Sequence, residues 1–374
     1  MSKEHTEDVP AARSSAAESV FEPALAADTA APVVAVVLVN WNGWKDCTEC
    51  LDALLASEYP AFDVFLVDND SVDGSLDHIA HWCQHPFRDP AWRRLPGAGR
   101  VSDRGTAIAF TRHTAPITGP VEAATARPAL HLVASGANLG FAGGNNVGMK
   151  AAGLDRYAYF WLLNCDTVVA KDALTRLVER AQADRQLGMV GSTLRYYAEP
   201  DRVQAMGGAI FDRSSTSIRH AGIGDSVERC AEHAAQIEPR LDYVVGASML
   251  VSREFVRCVG PMQEDYFLYF EEFDWALRGR PQFRPGYAHR SHVFHKVGAS
   301  SQAVATVGSL RYLYTSRFRF VRRFMADRLP AARLNTLRHA LGYARRGRLG
   351  VAWAVLGVWW RSFGTGGLER GASR

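Results

Sequence analysis

Short apolar runs, each closed by a polar, turn-forming cluster and followed by a stretch of helical spacing, set the rhythm of most of the chain. Val33 to Val39 is a solid, largely β-branched run, suited to a strand buried on both faces. It stops at Asn40-Trp41-Asn42-Gly43, after which Leu51, Leu54 and Leu55 give the apolar stripe of a helix over 44–57. Val64 to Val67 predicts the next strand, ending at Asp68-Asn69-Asp70-Ser71, and a helix from about Ser75 carries Leu76 and Ile79 inward. Strand, helix, strand, helix, with polar clusters at both strand ends, predicts an α/β fold with a parallel sheet and right-handed crossovers.

The rhythm breaks over 86–130, where Pro, Gly, Arg and short apolar stretches show no period, as expected of an insertion or a long surface loop. Leu130 to Val133 resumes it. A glycine-rich loop follows, with Gly140, Gly143 and Gly144 among the amides Asn138, Asn145 and Asn146, and a helix is predicted from about Val147. Tyr159 to Leu163 is a buried-type strand that delivers Asn164-Cys165-Asp166 to the carboxyl edge of the sheet, where open α/β folds keep their ligands. Beyond it, Leu174, Leu177 and Val178 mark a helix over 171–184, and Met189 to Leu194 and Gly207 to Phe211 read as strands. Residues 214–238 are polar and fit neither period. Tyr243 to Val251 reads as one further strand, whose Gly246, Ala247 and Ser248 either leave room for a ligand or pack tightly in the core.

At 374 residues the chain can fill one large α/β domain with appendages, or two domains. Residues 1–31, rich in Ala, Ser, Glu and Pro, predict a disordered tail. The net charge is only +4, yet residues 311–374 hold 14 arginines, no lysine and two acids, a basic segment on an acidic body. Six scattered cysteines and an opening without the pattern of a secretion signal predict a cytoplasmic protein. Cys47 and Cys50 form a C-x-x-C pair with no second pair at metal spacing, so they read as core or helix-surface cysteines. The Gly-x-Gly-x-x-Gly fingerprint is missing after the first strand, which weighs against an NAD-type site.

Six stretches, met in order, carry a resemblance: Val-Asn-Trp-Asn-Gly at 39–43, Leu-Val-Asp-Asn-Asp-Ser-Val-Asp-Gly-Ser at 66–75, Asn-Leu-Gly-Phe-Ala-Gly-Gly-Asn-Asn at 138–146, Leu-Leu-Asn-Cys-Asp-Thr at 162–167, Phe-Leu-Tyr-Phe-Glu-Glu-Phe-Asp-Trp at 267–275 and His-Lys-Val-Gly-Ala-Ser-Ser at 295–301. Together they resemble the inverting family-2 glycosyltransferases of the rhamnosyltransferase-like branch. The resemblance implies a GT-A fold, a Rossmann-like mixed sheet flanked by helices, over 32–310. It implies a nucleotide-sugar donor held by Asn40, Asp68, Asn69, Asn138, Gly140, Phe141, Gly144, Asn145 and Asn164. Asp68 and Asn69 would meet the nucleobase, although the second position is often an Asp.

Asp166 resembles the surviving acid of the family's Asp-x-Asp motif, with Asn164 in place of the first. The resemblance implies Mg²⁺ or Mn²⁺ on Asp166 and His295, with His292 and His289 as substitutes, because a cation bridging diphosphate oxygens stabilises the leaving group. In the acidic cluster, Glu272 matches the base that takes the acceptor hydroxyl's proton, with Asp274 as its rival and Glu271 beside it. The same three acids would equally favour the dipole of a helix N-terminal turn.

Arg311 to Arg348 interleaves arginines with aromatics, and Leu349 to Trp360 is twelve residues without a charge, short of the ~20 that span a bilayer. A basic amphipathic segment with an aromatic end suits an anionic membrane surface, while no recognition module for nucleic acid accompanies the arginines. The expected function is transfer of rhamnose from dTDP-rhamnose to a cell-surface or polyprenyl-diphosphate-linked glycan, by a peripheral protein on the inner face of the plasma membrane. UDP-galactofuranose or a UDP-N-acetylhexosamine are alternative donors. A non-catalytic glycan-binding protein on the same fold, or a sugar-phosphate nucleotidyltransferase, are alternatives of another kind; the latter lacks its Arg- and Lys-bearing signature after the first strand.

Overall fold

The parallel strands stand side by side because each apolar run is followed by a helix long enough to carry the chain back across the sheet. The computed structural model describes residues 30–86, 91–98, 107–114, 116–122, 127–296 and 306–364. Nearly all of the tail expected to be disordered, much of the expected insertion and the 297–301 end of the sixth motif lie outside the described residues. Residues 32–374 cluster as one unit.

The first half runs β1 (Val34–Asn40), α1 (Trp44–Leu55), β2 (Phe62–Asp68), α2 (Ser75–Gln84), β3 (Phe110–His113), β4 (Leu130–Ala134), α3 (Gly140–Ala152) and β5 (Tyr159–Asn164). It continues with β6 (Thr167–Val169), α4 (Ala173–Ala183), β7 (Leu187–Tyr196), β8 (Val203–Met206), β9 (Gly208–Asp212), β10 (Ser217–His220), α5 (Arg229–Ile237), β11 (Tyr243–Val244) and β12 (Ser248–Ser252). Then come α6 (Arg253–Val259), α7 (Glu271–Gly279), β13 (Arg284–His295), α8 (Val307–Phe324), α9 (Leu329–Arg345) and α10 (Leu349–Arg361).

The main sheet has the order β3-β4-β2-β1-β5-β12-β7-β13-β6, with β8 on β7, and β10-β9-β11 form a small second sheet. From β3 to β5 neighbouring strands are parallel, whereas β12 is antiparallel to both β5 and β7. The mixed α/β sheet is the expected class. Four expectations are corrected. Within the span expected to be an insertion, Phe110–His113 pairs with β4 as the edge strand, too short to show a period. The run 243–251 is two strands in different sheets, broken at Val245–Ala247. The helix expected from Val147 begins at Gly140, so Gly143 and Gly144 are helical and not in a loop. The boundary expected at 310/311 falls inside α8, whose Leu310, Tyr314, Phe318, Phe320 and Val321 belong to the core shared by β1, α3 and α7. Each such aromatic taken from water contributes ~1.5–3 kcal/mol, so α8 is part of the domain.

Candidate active site

β1, β2, β4 and β5 end level. Asn40 pairs with Asp68, Asp68 with Ala134 and Val39 with Asn164, which gathers the polar strand ends on one edge. Asn40 Nδ2 donates to Asp68 Oδ1 at 2.9 Å, and Ser71 N donates to Asp68 Oδ2 at 3.1 Å, so the buried carboxylate is fixed at both oxygens. Asn42 locks the adjoining turns: its N donates to Ser71 Oγ at 2.9 Å and its Oδ1 accepts from Val72 N at 2.9 Å. Asn42 and Asp70 hold φ at 53° and 64°, a conformation that costs non-glycine residues ~1–3 kcal/mol and is retained at ligand sites. Asn40 Oδ1 is buried with no partner. Trp41, 59% exposed between Asn40 and Asn42, offers an aromatic face at this edge that sequence reasoning passed over.

Asn69 and Asn138 act as a clamp between loops. Asn69 Nδ2 donates to Asn138 Oδ1 and to Gly140 O, both at 3.1 Å, and its Oδ1 accepts from Leu139 N at 3.1 Å, so its amide is spent inside the protein. Gly144 and Asn145, expected in the donor pocket, serve α3 itself. A Cβ on Gly144 would meet Val39 Cγ1 at 2.6 Å, so the glycine lets α3 lie close on β1; Asn145 Nδ2 donates to Phe141 O at 2.9 Å, one turn back, and the residue is 1% exposed. Gly140 is demanded twice over: its φ is +68°, and a Cβ there would lie 2.2 Å from Phe267 O. The close approach lets Phe141 N donate to Phe267 O at 3.0 Å, which joins the start of α3 to the loop that precedes the acids.

Asp166 stands in the turn between β5 and β6, and His295 ends β13, the partner strand of β6. His295 Nε2 lies 3.2 Å from Asp166 Oδ1, while Nδ1 lies 2.9 Å from Gln204 Oε1. An amide oxygen only accepts, so Nδ1 carries a proton. Nε2 then faces a carboxylate with a lone pair, unless a second ring proton or a cation lies between them. Lys296 N donates to Asp166 O at 2.9 Å, and Lys296 Nζ pairs with Asp46 at 2.8 Å and with Glu49, which ties the end of β13 to α1. Of the substitutes, His292 is held down to about 4 by burial, with its Nδ1 unpartnered, and His289 lies six residues before His295, where the register of β13 on β7 shifts between Ala288 and His292. The C-x-x-C pair underlies the same turn: Cys47 Sγ is 3.3 Å from Cys165 Sγ, and Cys50 Sγ donates to Asn164 O at 3.7 Å. Burial pushes both thiols up, as suits inert core cysteines. Among the described residues, no group of three or more His, Cys, Asp or Glu is arranged to hold a metal ion by itself.

The three acids open α7 and have three different surroundings. Asp274 is fully buried and spent: Oδ1 pairs with Arg278 Nε at 2.8 Å, and Oδ2 accepts from Tyr266 OH at 3.0 Å and pairs with Arg323 at 3.2 Å. Glu271 is 1% exposed, with Oε2 lacking a partner, and burial followed by the charge of Glu272 raises it well above the ordinary carboxyl range. Glu272 keeps some exposure; its Oε1 accepts from Gly246 N at 3.2 Å, and burial raises it to about 7. A Cβ on Gly246 would meet Glu272 Oε1 at 2.5 Å and Phe141 Cζ at 2.8 Å, so only glycine admits both. The preceding Tyr269 and Phe270 hold φ at 70° and 75°, a second strained turn at the site.

These contacts join the two halves of the site. Glu272 rests on Gly246, and the next residue, Ala247, accepts from Asn164 N at 3.1 Å, two residues before Asp166. Gly246, Gln204 and Lys296 complete the arrangement. Of these, only Lys296, next to His295, and Gly246, in a run of small residues, left a trace in the sequence; Gln204 depends on how β8 falls against β13.

Among curated proteins, the low-salt glycan biosynthesis hexosyltransferase Agl10 of Haloferax volcanii is 26% identical over 157 residues, covering 40% of this chain and 46% of that protein. The match thus spans about half the length of that relative. Among solved structures, the mannosyltransferase PcManGT of Pyrobaculum calidifontis, in complex with GDP-Man and Mn²⁺, gives a TM-score of 0.49 at 15% identity over 92% of this chain and 77% of that one. GalNAc-T7 with UDP, GalNAc and Mn²⁺ gives 0.49 at 13% identity over 75% and 47%. The glycosyl transferase family 2 profile matches residues 35–112 and 120–260, more than half of the chain and all or most of each strand from β1 to β12, and the chain belongs to that family.

Proposed function

We propose that the protein is an inverting, divalent-metal-dependent glycosyltransferase that moves a sugar from a nucleotide donor to a glycan. The observation that carries this reading is the path Glu272–Gly246–Ala247–Asn164, in which two hydrogen bonds link a buried carboxyl of raised affinity for protons to the strand that ends two residues before Asp166. Asp166 and His295 fit one Mg²⁺ or Mn²⁺: Gln204 accepts from Nδ1 and so aims Nε2 at a carboxylate oxygen 3.2 Å away, a nitrogen and an oxygen donor that one cation can share. Such a cation, when bound, draws charge from the diphosphate oxygens of the leaving nucleotide.

The chain's own groups supply the rest. Asp68, fixed by Asn40 and Ser71, accepts from the N–H of a uracil or thymine, and Trp41 covers the base. Glu272 takes the acceptor hydroxyl's proton while that oxygen attacks the anomeric carbon from the face opposite the nucleotide. A carboxyl titrating near 7 is both ionised and basic enough at neutral pH. Glu271 stays protonated beside it, so one negative charge stands there and not two.

The likeness of the six stretches to the rhamnosyltransferase-like branch supports dTDP-rhamnose as donor. The acceptor is a growing cell-surface glycan on a polyprenyl-diphosphate carrier, whose charged head lies at a bilayer surface. The test is a panel of nucleotide sugars, including dTDP-rhamnose, UDP-galactofuranose and UDP-N-acetylhexosamines, scored by thermal stabilisation and metal-dependent donor hydrolysis. A donor at a hundred times its Kd stabilises by ~2.7 kcal/mol. A panel in which no nucleotide sugar stabilises the protein, with or without Mg²⁺ or Mn²⁺, rejects the reading.

A further inference from the structure

The last two helices carry an apolar stripe that the described residues leave uncovered. Leu349, Trp353, Leu356, Trp360 and Phe363 recur at spacings of four and three and so share one face. Trp353 and Trp360 are each 73% exposed, Leu349 59% and Phe363 53%. On α9, Leu334 and Leu341, each 49% exposed, alternate with the exposed Arg338 and Arg345 at the same spacing. Two largely exposed indoles on one stripe of a helix that ends at the exposed Arg361 and packs on one exposing Arg338 and Arg345 are far from the scattered single apolar residues normal on a monomer.

We propose that this face of α9 and α10 docks flat on an anionic bilayer, with the indoles and leucines at the headgroup boundary and the guanidiniums on lipid phosphates. The inference deepens the acceptor assignment made above, since it brings the chain to the surface where a lipid-linked glycan lies. The helix lies on the bilayer and does not cross it: α10 has 13 residues, its Val351, Val355 and Val358 are buried in the protein, and no described helix is long and apolar enough to span.

The face is rigidly tied to the acids. Arg322 and Arg333 both donate to Ser362 O, at 3.0 and 2.7 Å, which pins the end of α10 to α8 and α9. In turn α8 holds the acidic loop: Ser316 Oγ donates to Leu268 O at 2.9 Å, the rings of Tyr312 and Phe267 stack at 4.5 Å, and Arg323 pairs with Asp274. A docked α10 therefore sets the orientation of Glu272 to the bilayer. The stripe's leucines match lipid, which offers acyl chain as well as phosphate; nucleic acid would stack on the indoles and pair with the arginines but leave Leu334, Leu341 and Leu349 without an apolar partner.

The test is co-sedimentation of the full-length protein with phosphatidylcholine vesicles, with and without about a third phosphatidylglycerol, followed also by tryptophan emission. Binding only to the anionic vesicles, with a blue shift, is expected. Trp353→Glu combined with Trp360→Glu lowers partitioning by about tenfold or more, as does Arg338→Glu with Arg345→Glu, while melting temperature and donor hydrolysis stay unchanged. The proposal is overturned if the wild-type protein ignores anionic vesicles, if the tryptophan variant partitions as well as wild type, or if that variant instead dissociates a dimer that binds no vesicle. Vesicle binding needs neither donor nor acceptor, so its outcome is separate from that of the donor panel.

Discussion

Glu272→Gln separates the chemistry of the proposed base from its cost to the fold. Glutamine keeps the shape and can still accept from Gly246 N through its side-chain oxygen, but it carries no charge and takes no proton. Burial raises the wild-type carboxyl from 4.5 to about 7. A group whose folded value lies above its unfolded value stabilises below the unfolded one, and that stability is lost as pH rises through the folded one. At 1.36 kcal/mol per pH unit, the folded protein therefore gives up on the order of 3 kcal/mol between pH 4.5 and 7, and holds that deficit above it. The glutamine variant escapes the deficit. It should melt several degrees above wild type at pH 8 and almost with it at pH 5, while sugar transfer falls by ~10²–10⁴, the usual contribution of a general base. In the wild type, kcat/KM should rise with pH to a plateau, with its midpoint near 7. The assays are differential scanning fluorimetry across pH and single-turnover transfer with the donor that the panel identifies. A variant no more stable than wild type at pH 8, or one that retains transfer within a few fold, refutes the assignment of a buried, charged base at this position.

Gly246→Ala should leave the protein folded, at an overpacking cost of ~1–3 kcal/mol, yet cut kcat by ~10² with little change in donor KM, because the methyl would press Glu272 and Phe141 out of place; unchanged kcat counts against the seat. Asp166→Ala should abolish transfer with the melting temperature preserved, and EDTA should silence the wild type until Mg²⁺ or Mn²⁺ is restored; near-normal turnover in either case removes the metal role. Asp274→Ala should instead be a stability mutant, losing ~3–5 kcal/mol by stranding Arg278, Arg323 and Tyr266 around an empty position, as read by urea unfolding.

The repeating strand-and-helix pattern marks four of the five parallel strands, because a strand buried on both faces is written as an unbroken apolar run such as Val33 to Val39; β3, a short edge strand, carries no such run. The same local logic placed Asp68 and Asp166 at strand ends, and the six motifs pointed to the acids of α7. What no local pattern could say was which polar groups remain open to a ligand. Asn69, Asn145 and Asp274 look as available in the sequence as Asp68 and Glu272, yet their hydrogen-bonding capacity is consumed by Asn138, Phe141 and Arg278. The glycines likewise prove to be points of contact: Gly144, which reads as part of a loop, lies against β1, and Gly246, which reads as part of a strand, lies under Glu272. Such contacts join residues far apart in the chain, and their cost or gain exists only once the chain has closed on itself. For the same reason a segment that reads as a basic tail divides in two: α8, whose aromatics complete the core, and α10, whose tryptophans are left facing outward.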